Sequence, residues 1–217
     1  MGQKVNPTSF RTGVLYDFKS LWYADKKTYP LFVGEDNMIR KFLNSKLTIA
    51  GLNEVIIRRS INTLDIFIHV SRPGVVIGRG GANIEILKKQ LMKLIHPYHK
   101  NAPITVNLHP VEVKVPDLSA RLVAETIAQQ LQKRYPHRRA KDQAIERVMG
   151  AGAKGIKIVF SGRINGAEIG RREKYKQGQV PTSTLRADID YAEVPSLTRS
   201  GYVGIKVWIY KGEKQTR

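Results

Sequence analysis

The 217-residue chain contains no cysteine. That excludes a disulfide scaffold, thiolate zinc ligands and a cysteine nucleophile, and leaves the redox compartment open. No apolar run reaches the roughly 18 residues of a bilayer-spanning helix. Acidic residues are scarce: 18 Asp and Glu stand against 37 Lys and Arg, a formal net charge of +19. The opening MGQKVNPTSF has neither the apolar centre of a secretory signal nor an Arg- and Ser-rich transit pattern. Asn6 sits where a myristoylation site needs Ser or Thr. A soluble cytoplasmic protein is expected.

Apolar residues make up 41% of the chain, enough to build cores, so the charge does not belong to a disordered tail. A folded chain this basic repels itself until a polyanion neutralises it. Nucleic acid is therefore the first partner to consider and an anionic membrane the second.

Residues 1–20 read as a polar, extended arm ordered by a partner, carrying Lys4, Arg11 and Lys19. A helix is predicted over residues 35–45 with Met38, Phe42 and Leu43 on one face. Two strands follow, residues 54–60 and 63–70, where Leu64, Ile66, Ile68 and Val70 alternate with polar and aromatic neighbours. After a glycine-rich stretch, Ile84, Leu87, Leu91, Leu94 and Ile95 mark the apolar face of a second helix. A strand over 104–115 is expected to bend or break at Pro110. Further on, a helix capped by Asp117 or Ser119, with Leu122, Ile127 and Leu131 in its core, ends before Pro136. A second helix covers 137–150 and stops on Gly150. Strands then read over 155–163, 172–178, 184–194 and 201–213. In the last, Val203, Ile205, Val207 and Ile209 lie opposite Lys206, Trp208 and Tyr210. The fold class is α+β, in two domains joined near 107–116.

The stretch RPGVVIGRGGANIEILKK, from Arg72 to Lys89, raises the question of what its backbone approaches. A phosphate loop of the G-x-x-x-x-G-K-[ST] type lacks its lysine and hydroxyl here. A dinucleotide fingerprint fails because Asn83 takes the third glycine's place and the preceding strands form a hairpin. What remains is G-x-x-G, Gly78-Arg79-Gly80-Gly81, followed by a long helix whose first N–H groups favour anions. Arg72, Arg79, Lys88 and Lys89 add positive charge. The KH module clamps about four nucleotides with such a loop.

Beyond that loop, the segments GQKVNP, RPGVVIGRGG, GAKGIKIVFSGRINGAEI, TLRADIDYA and GYVGIKVWIYKGE together resemble the bacterial-type ribosomal protein S three family, in order from about residue 2 to 213. The resemblance implies an N-terminal type II KH domain over 21–110 after an arm over 1–20. It implies a C-terminal domain of two helices packed on an antiparallel sheet over 111–213, and a short tail over 214–217. It further implies a non-enzymatic constituent of the small ribosomal subunit, cytoplasmic and bacterial, with an organelle-encoded protein as the alternative. There it binds 16S-type rRNA in the subunit head, beside head proteins S ten and S fourteen and entry-channel proteins S four and S five. No cofactor, metal or membrane is implied. The resemblance also places a basic helix at the mRNA entry channel, where it helps unwind mRNA. That cluster falls on Arg138 and Arg139. The family's third basic position falls on Asp142, with Lys141 beside it as the replacement, and the four-residue spacing puts Asp142 within pairing reach of Arg138.

Residues 133–176 hold 13 Lys and Arg against 4 Asp and Glu. Arg163, Arg171, Arg172, Lys174 and Lys176, in or near a hairpin, join Lys4 and Arg11 as expected rRNA phosphate contacts, which position without reading sequence. Asp188 and Asp190 stand two apart. They read as paired metal ligands of a nuclease or, preferably, as partners of nearby arginines such as Arg186. His96 and His99 read as a helix-end loop ahead of metal ligands. Trp22, Tyr23, Trp208 and Tyr210 are candidates for base stacking, at least half of them expected in packing. A free-standing KH regulator of RNA is the remaining alternative to a ribosomal protein.

Overall fold

The computed structural model describes residues 3–95 and 104–214, so His96, His99 and the tail beyond Lys214 lie outside the described residues. The chain forms two compact units. One is Phe18–Lys114; the other combines the N-terminal residues through Asp17 with those from Val115 onward.

The N-terminal segment is not an extended arm. It forms a short helix, α1 (Pro7–Arg11), whose amides at Thr8 and Ser9 are capped by the Asn6 side chain. Pro7 suits the first turn because its missing N–H has no partner there anyway. Arg11 is fully buried. Its guanidinium donates to the carbonyls of Ala187 at 2.7 Å, Pro7 at 2.9 Å, Thr184 at 2.8 Å and Thr182 at 3.0 Å. The segment is thus ordered by its own chain.

In the unit Phe18–Lys114, a two-residue strand β1 (Ser20–Leu21) precedes α2 (Tyr29–Lys46), β2 (Leu52–Arg59), β3 (Thr63–Val70), α3 (Pro73–Ile77), α4 (Ala82–Ile95) and β4 (Thr105–Glu112). The sheet order is β1-β2-β3-β4, with β2 and β3 antiparallel and β4 parallel to β3. One apolar core joins Ile39 and Leu43 of α2, Ile57, Leu64, Ile66 and Ile68 of the sheet, and Leu87, Leu91 and Ile95 of α4.

Several expectations change here. Helix α2 is longer than 35–45, and Met38 points outward, 44% exposed, while Ile39 takes the core position. Glu35 and Asp36 are buried instead, because Arg59 bridges both carboxylates and Trp22 and Ser20 donate to Asp36. Leu94 is exposed, off the face that Leu91 and Ile95 bury. Val75–Ile77 belong to the helix α3. Pro110 neither bends nor interrupts β4, where it pairs with Ile68 in unbroken register. An edge strand has one side without ladder hydrogen bonds, and there the missing N–H costs nothing.

In the other unit, Ser119 caps α5 (Ala120–Gln132) by accepting from the Leu122 amide, after a single 3-10 turn. Helix α6 (His137–Gly150), β5 (Gly155–Gly162), β6 (Arg171–Gly178), β7 (Ala187–Thr198) and β8 (Gly201–Glu213) follow. The sheet order β6-β5-β8-β7 is antiparallel throughout. One face carries Ile156, Ile158, Phe160, Ile205, Val207 and Ile209 into the core shared with α5 and α6. On the other face Trp208 and Tyr210 are also buried, packed with Val159, Ala187 and Ile189.

The α5–α6 connection is a Schellman turn. Tyr135 N–H donates to Gln130 O and Arg134 N–H to Leu131 O, both at 2.9 Å. The left-handed position this motif needs is usually glycine; here Arg134 occupies it, at φ 61°.

Candidate RNA interface

In the unit Phe18–Lys114, the glycine loop joins α3 to α4. Gly78 sits at φ 72° and ψ −177°, and a Cβ there would lie 2.7 Å from the Asn83 side chain. Asn83 in turn donates to Val75 O at 3.2 Å. Gly78 is therefore required for the turn itself. Gly80 and Gly81, at φ 60° and 82°, have nothing within 4 Å of where a Cβ would stand. Their backbone faces open space, which fits a surface against which another backbone can lie. Arg72, Arg79 and Lys89 are exposed around this loop and Lys88 is half-buried. The loop passes through a 3-10 turn, Arg79–Gly81, into the 14-residue α4, with the Ala82 amide donating to Arg79 O, and the helix dipole there favours an anion.

In the other unit, α6 starts without a side-chain cap. His137 fixes its first turn instead. This residue is buried, with Nδ1 3.0 Å from Asn165 Oδ1 and Nε2 3.0 Å from Glu173 Oε2. Tyr175 donates to the same Glu173 carboxylate and Arg171 bonds its other oxygen. The Tyr175 hydrogen bond does most to hold Glu173 below its ordinary pKa, against the opposing effect of burial. Arg138 and Arg139 follow immediately and are both exposed. Asp142 does not pair with Arg138. It pairs with Lys141 at 2.6 Å, and the Lys141 ammonium also lies over the Tyr175 ring, 4.3 Å from its centre. Lys141 is thus partly neutralised and only 18% exposed in its side chain. The replacement charge is held down, and the exposed pair is Arg138 and Arg139.

Strand β6 separates the expected hairpin cations by its pleat. Arg171 faces the helices and bonds Glu173. Arg172, Lys174 and Lys176 alternate onto the opposite face, all exposed. There the register sets Lys176 beside Lys157, and Lys174 beside Val159 with Lys206 beyond it. Lys157 lies over the Trp208 ring at 4.8 Å. Its pKa is pushed down by burial first, then by Lys4, Lys174 and Arg172. Lys157 and Lys206 were not among the expected contacts, although the alternation in GIKIVF places Lys157 opposite the apolar face. Arg163 is exposed and donates to Ala167 O. Arg11, expected to meet phosphate, has its guanidinium spent on backbone carbonyls and offers none of it to RNA.

Asp188 accepts from Tyr16 at 2.6 Å and pairs with Lys214, whereas Asp190 accepts from the Ala120 amide and pairs with Lys211. Arg186, their expected partner, pairs with Glu213. Among the described residues no group of three or more His, Asp or Glu is placed to hold a metal ion, and no helix is long and apolar enough to cross a membrane. Trp22, Trp208 and Tyr210 serve packing, while Tyr23 is 90% exposed.

A family model described as a KH domain matches residues 38–118, and one described as the ribosomal protein S3 C-terminal domain matches residues 127–209. Small ribosomal subunit protein uS3 of Pelotomaculum thermopropionicum is 50% identical over 98% of this chain and 89% of its own length. The protein of that name from Lactobacillus helveticus is 50% identical over 98% of this chain and 92% of its own, and that from Streptococcus equi subsp. zooepidemicus 48% over 98% and 94%. These are names of a ribosomal protein, not of an enzyme. With the α-β-β-α-α-β order of a type II KH domain followed by two helices on an antiparallel sheet, the chain belongs to the small ribosomal subunit protein uS3 family.

Proposed function

We propose that this chain holds 16S-type rRNA through phosphate contacts and guides mRNA at the entry channel of the small subunit. The observation that carries the reading is the accumulation of Arg172, Lys174, Lys176 and Lys157 on one sheet face, beside Lys206, which pairs with Glu193 at 3.2 Å. Like charges gathered on one sheet face repel one another: the Lys157 pKa is held down by burial first and then by Lys4, Lys174 and Arg172. A polyanion on this face removes the repulsion. Glycine-loop backbone and Arg79 form a second phosphate contact, and Arg138 and Arg139 on α6 are the mRNA guides, with Lys141 as a damped third charge. Neighbouring head and entry-channel proteins cover further surface in the assembled particle, which works in the cytoplasm.

The test is the salt dependence of binding to an rRNA head fragment. Each phosphate contact contributes roughly 0.7–0.9 to the slope of log K against log salt. Replacing Lys157, Lys174 and Lys176 with glutamine should flatten the slope by about 2. An unchanged slope would remove this face from the interface.

A further inference from the structure

A cavity of about 360 Å³ opens in the Val115-onward unit between the α5–α6 turn, the β5–β6 connection and the β7–β8 turn. Arg134, Arg163 and Arg199 stand around it, and no carboxylate lines it. All three arginines are exposed. The floor is apolar, with Phe160 fully buried and Tyr135 40% exposed at the side. Asn165 and Ser200 add an amide and a hydroxyl, and a Cβ on Gly166 would stand 3.1 Å from Ser200 Oγ, so the two turns nearly meet. Among the described residues only Arg134 and Asn165 are non-glycine residues at positive φ, and both line this cavity. Such conformations cost energy and concentrate at functional sites. At the Schellman position of Arg134 a glycine would be less strained, so the arginine sits there at a cost to the fold.

Resting on the RNA-binding reading above, we infer that this cavity receives one unpaired RNA base, with Arg134, Arg163 and Arg199 holding the phosphates on either side. The volume suits a base with part of its ribose, single-stranded RNA is recognised by splayed bases on aromatic walls, and the all-positive rim selects a polyanion.

The experiment uses the full chain and two seven-nucleotide ribose-phosphate strands of equal charge. One carries a single central adenine and the other is abasic throughout. The base-bearing strand should bind about tenfold more tightly. Ser200→Trp, which fills the mouth from an accessible turn, should erase that difference and leave abasic binding unchanged. Arg134→Gly should raise the melting temperature and weaken both strands. A 4-thiouracil at the central position should crosslink to Tyr135 or to residues 163–166. Equal binding of the two strands overturns the pocket alone and leaves the arginines to a carboxylate-bearing protein. A base advantage surviving Ser200→Trp, or crosslinks confined to the glycine loop, overturns it as well. Binding of neither strand defeats the RNA reading and the pocket together.

Discussion

Arg11 shows how far a residue's role depends on where the chain returns. In a polar N-terminal stretch an arginine reads as a surface charge, and nothing local signals burial. Its acceptors at Thr182, Thr184 and Ala187 lie more than 170 residues away. Arg11→Met should destabilise the chain by about 3 kcal/mol, because it strands buried carbonyls, as read by urea unfolding. If that variant instead unfolds normally and binds RNA less tightly at low salt, Arg11 is a phosphate contact after all. Asp142 carries a similar lesson: the four-residue spacing points to Arg138, yet its partner is the adjacent Lys141, whose ammonium also lies over the Tyr175 ring.

Among the elements, periodic segments were legible. The hairpin of β2 and β3 and helix α6 fall close to where pattern and punctuation put them. What the pattern misses is what depends on a neighbour: the tolerance of Pro110, which requires β4 to be an edge strand, and the burial of Glu35 and Asp36, which requires Arg59. The glycine loop was legible as a turn ahead of a long helix, whereas the pinning of α6 by His137 was not, since Asn165 and Glu173 lie 28 and 36 residues on. His137→Ala should cost about 2–3 kcal/mol in urea unfolding by leaving both groups without this partner, with Arg138 and Arg139 still exposed. Glu173 sets a pH dependence. Its folded pKa lies below the ordinary 4.5, chiefly through Tyr175. Its contribution to stability is therefore complete above 4.5 and is lost as pH falls through the lower folded value. Thermal unfolding below pH 4.5 should show this loss, and Tyr175→Phe should shrink it.

At the scale of the whole molecule, the charge of +19 announced a polyanion partner before any element was placed. The distribution of that charge was less legible, because the pleat of β6 divides Arg171 from Arg172, Lys174 and Lys176, and one half of the run serves α6 while the other faces outward. In the proposed function, the exposed arginines at the start of α6 act on mRNA while the remaining basic surface holds rRNA. The most direct measurement is translation by ribosomes carrying Arg138→Ala and Arg139→Ala together, on messages with and without a stable hairpin downstream. These ribosomes should show normal incorporation of the variant into small subunits, near-normal rates on the unstructured message and slowed passage through the hairpin. Equal loss on both messages, or no loss on either, would contradict the mRNA role.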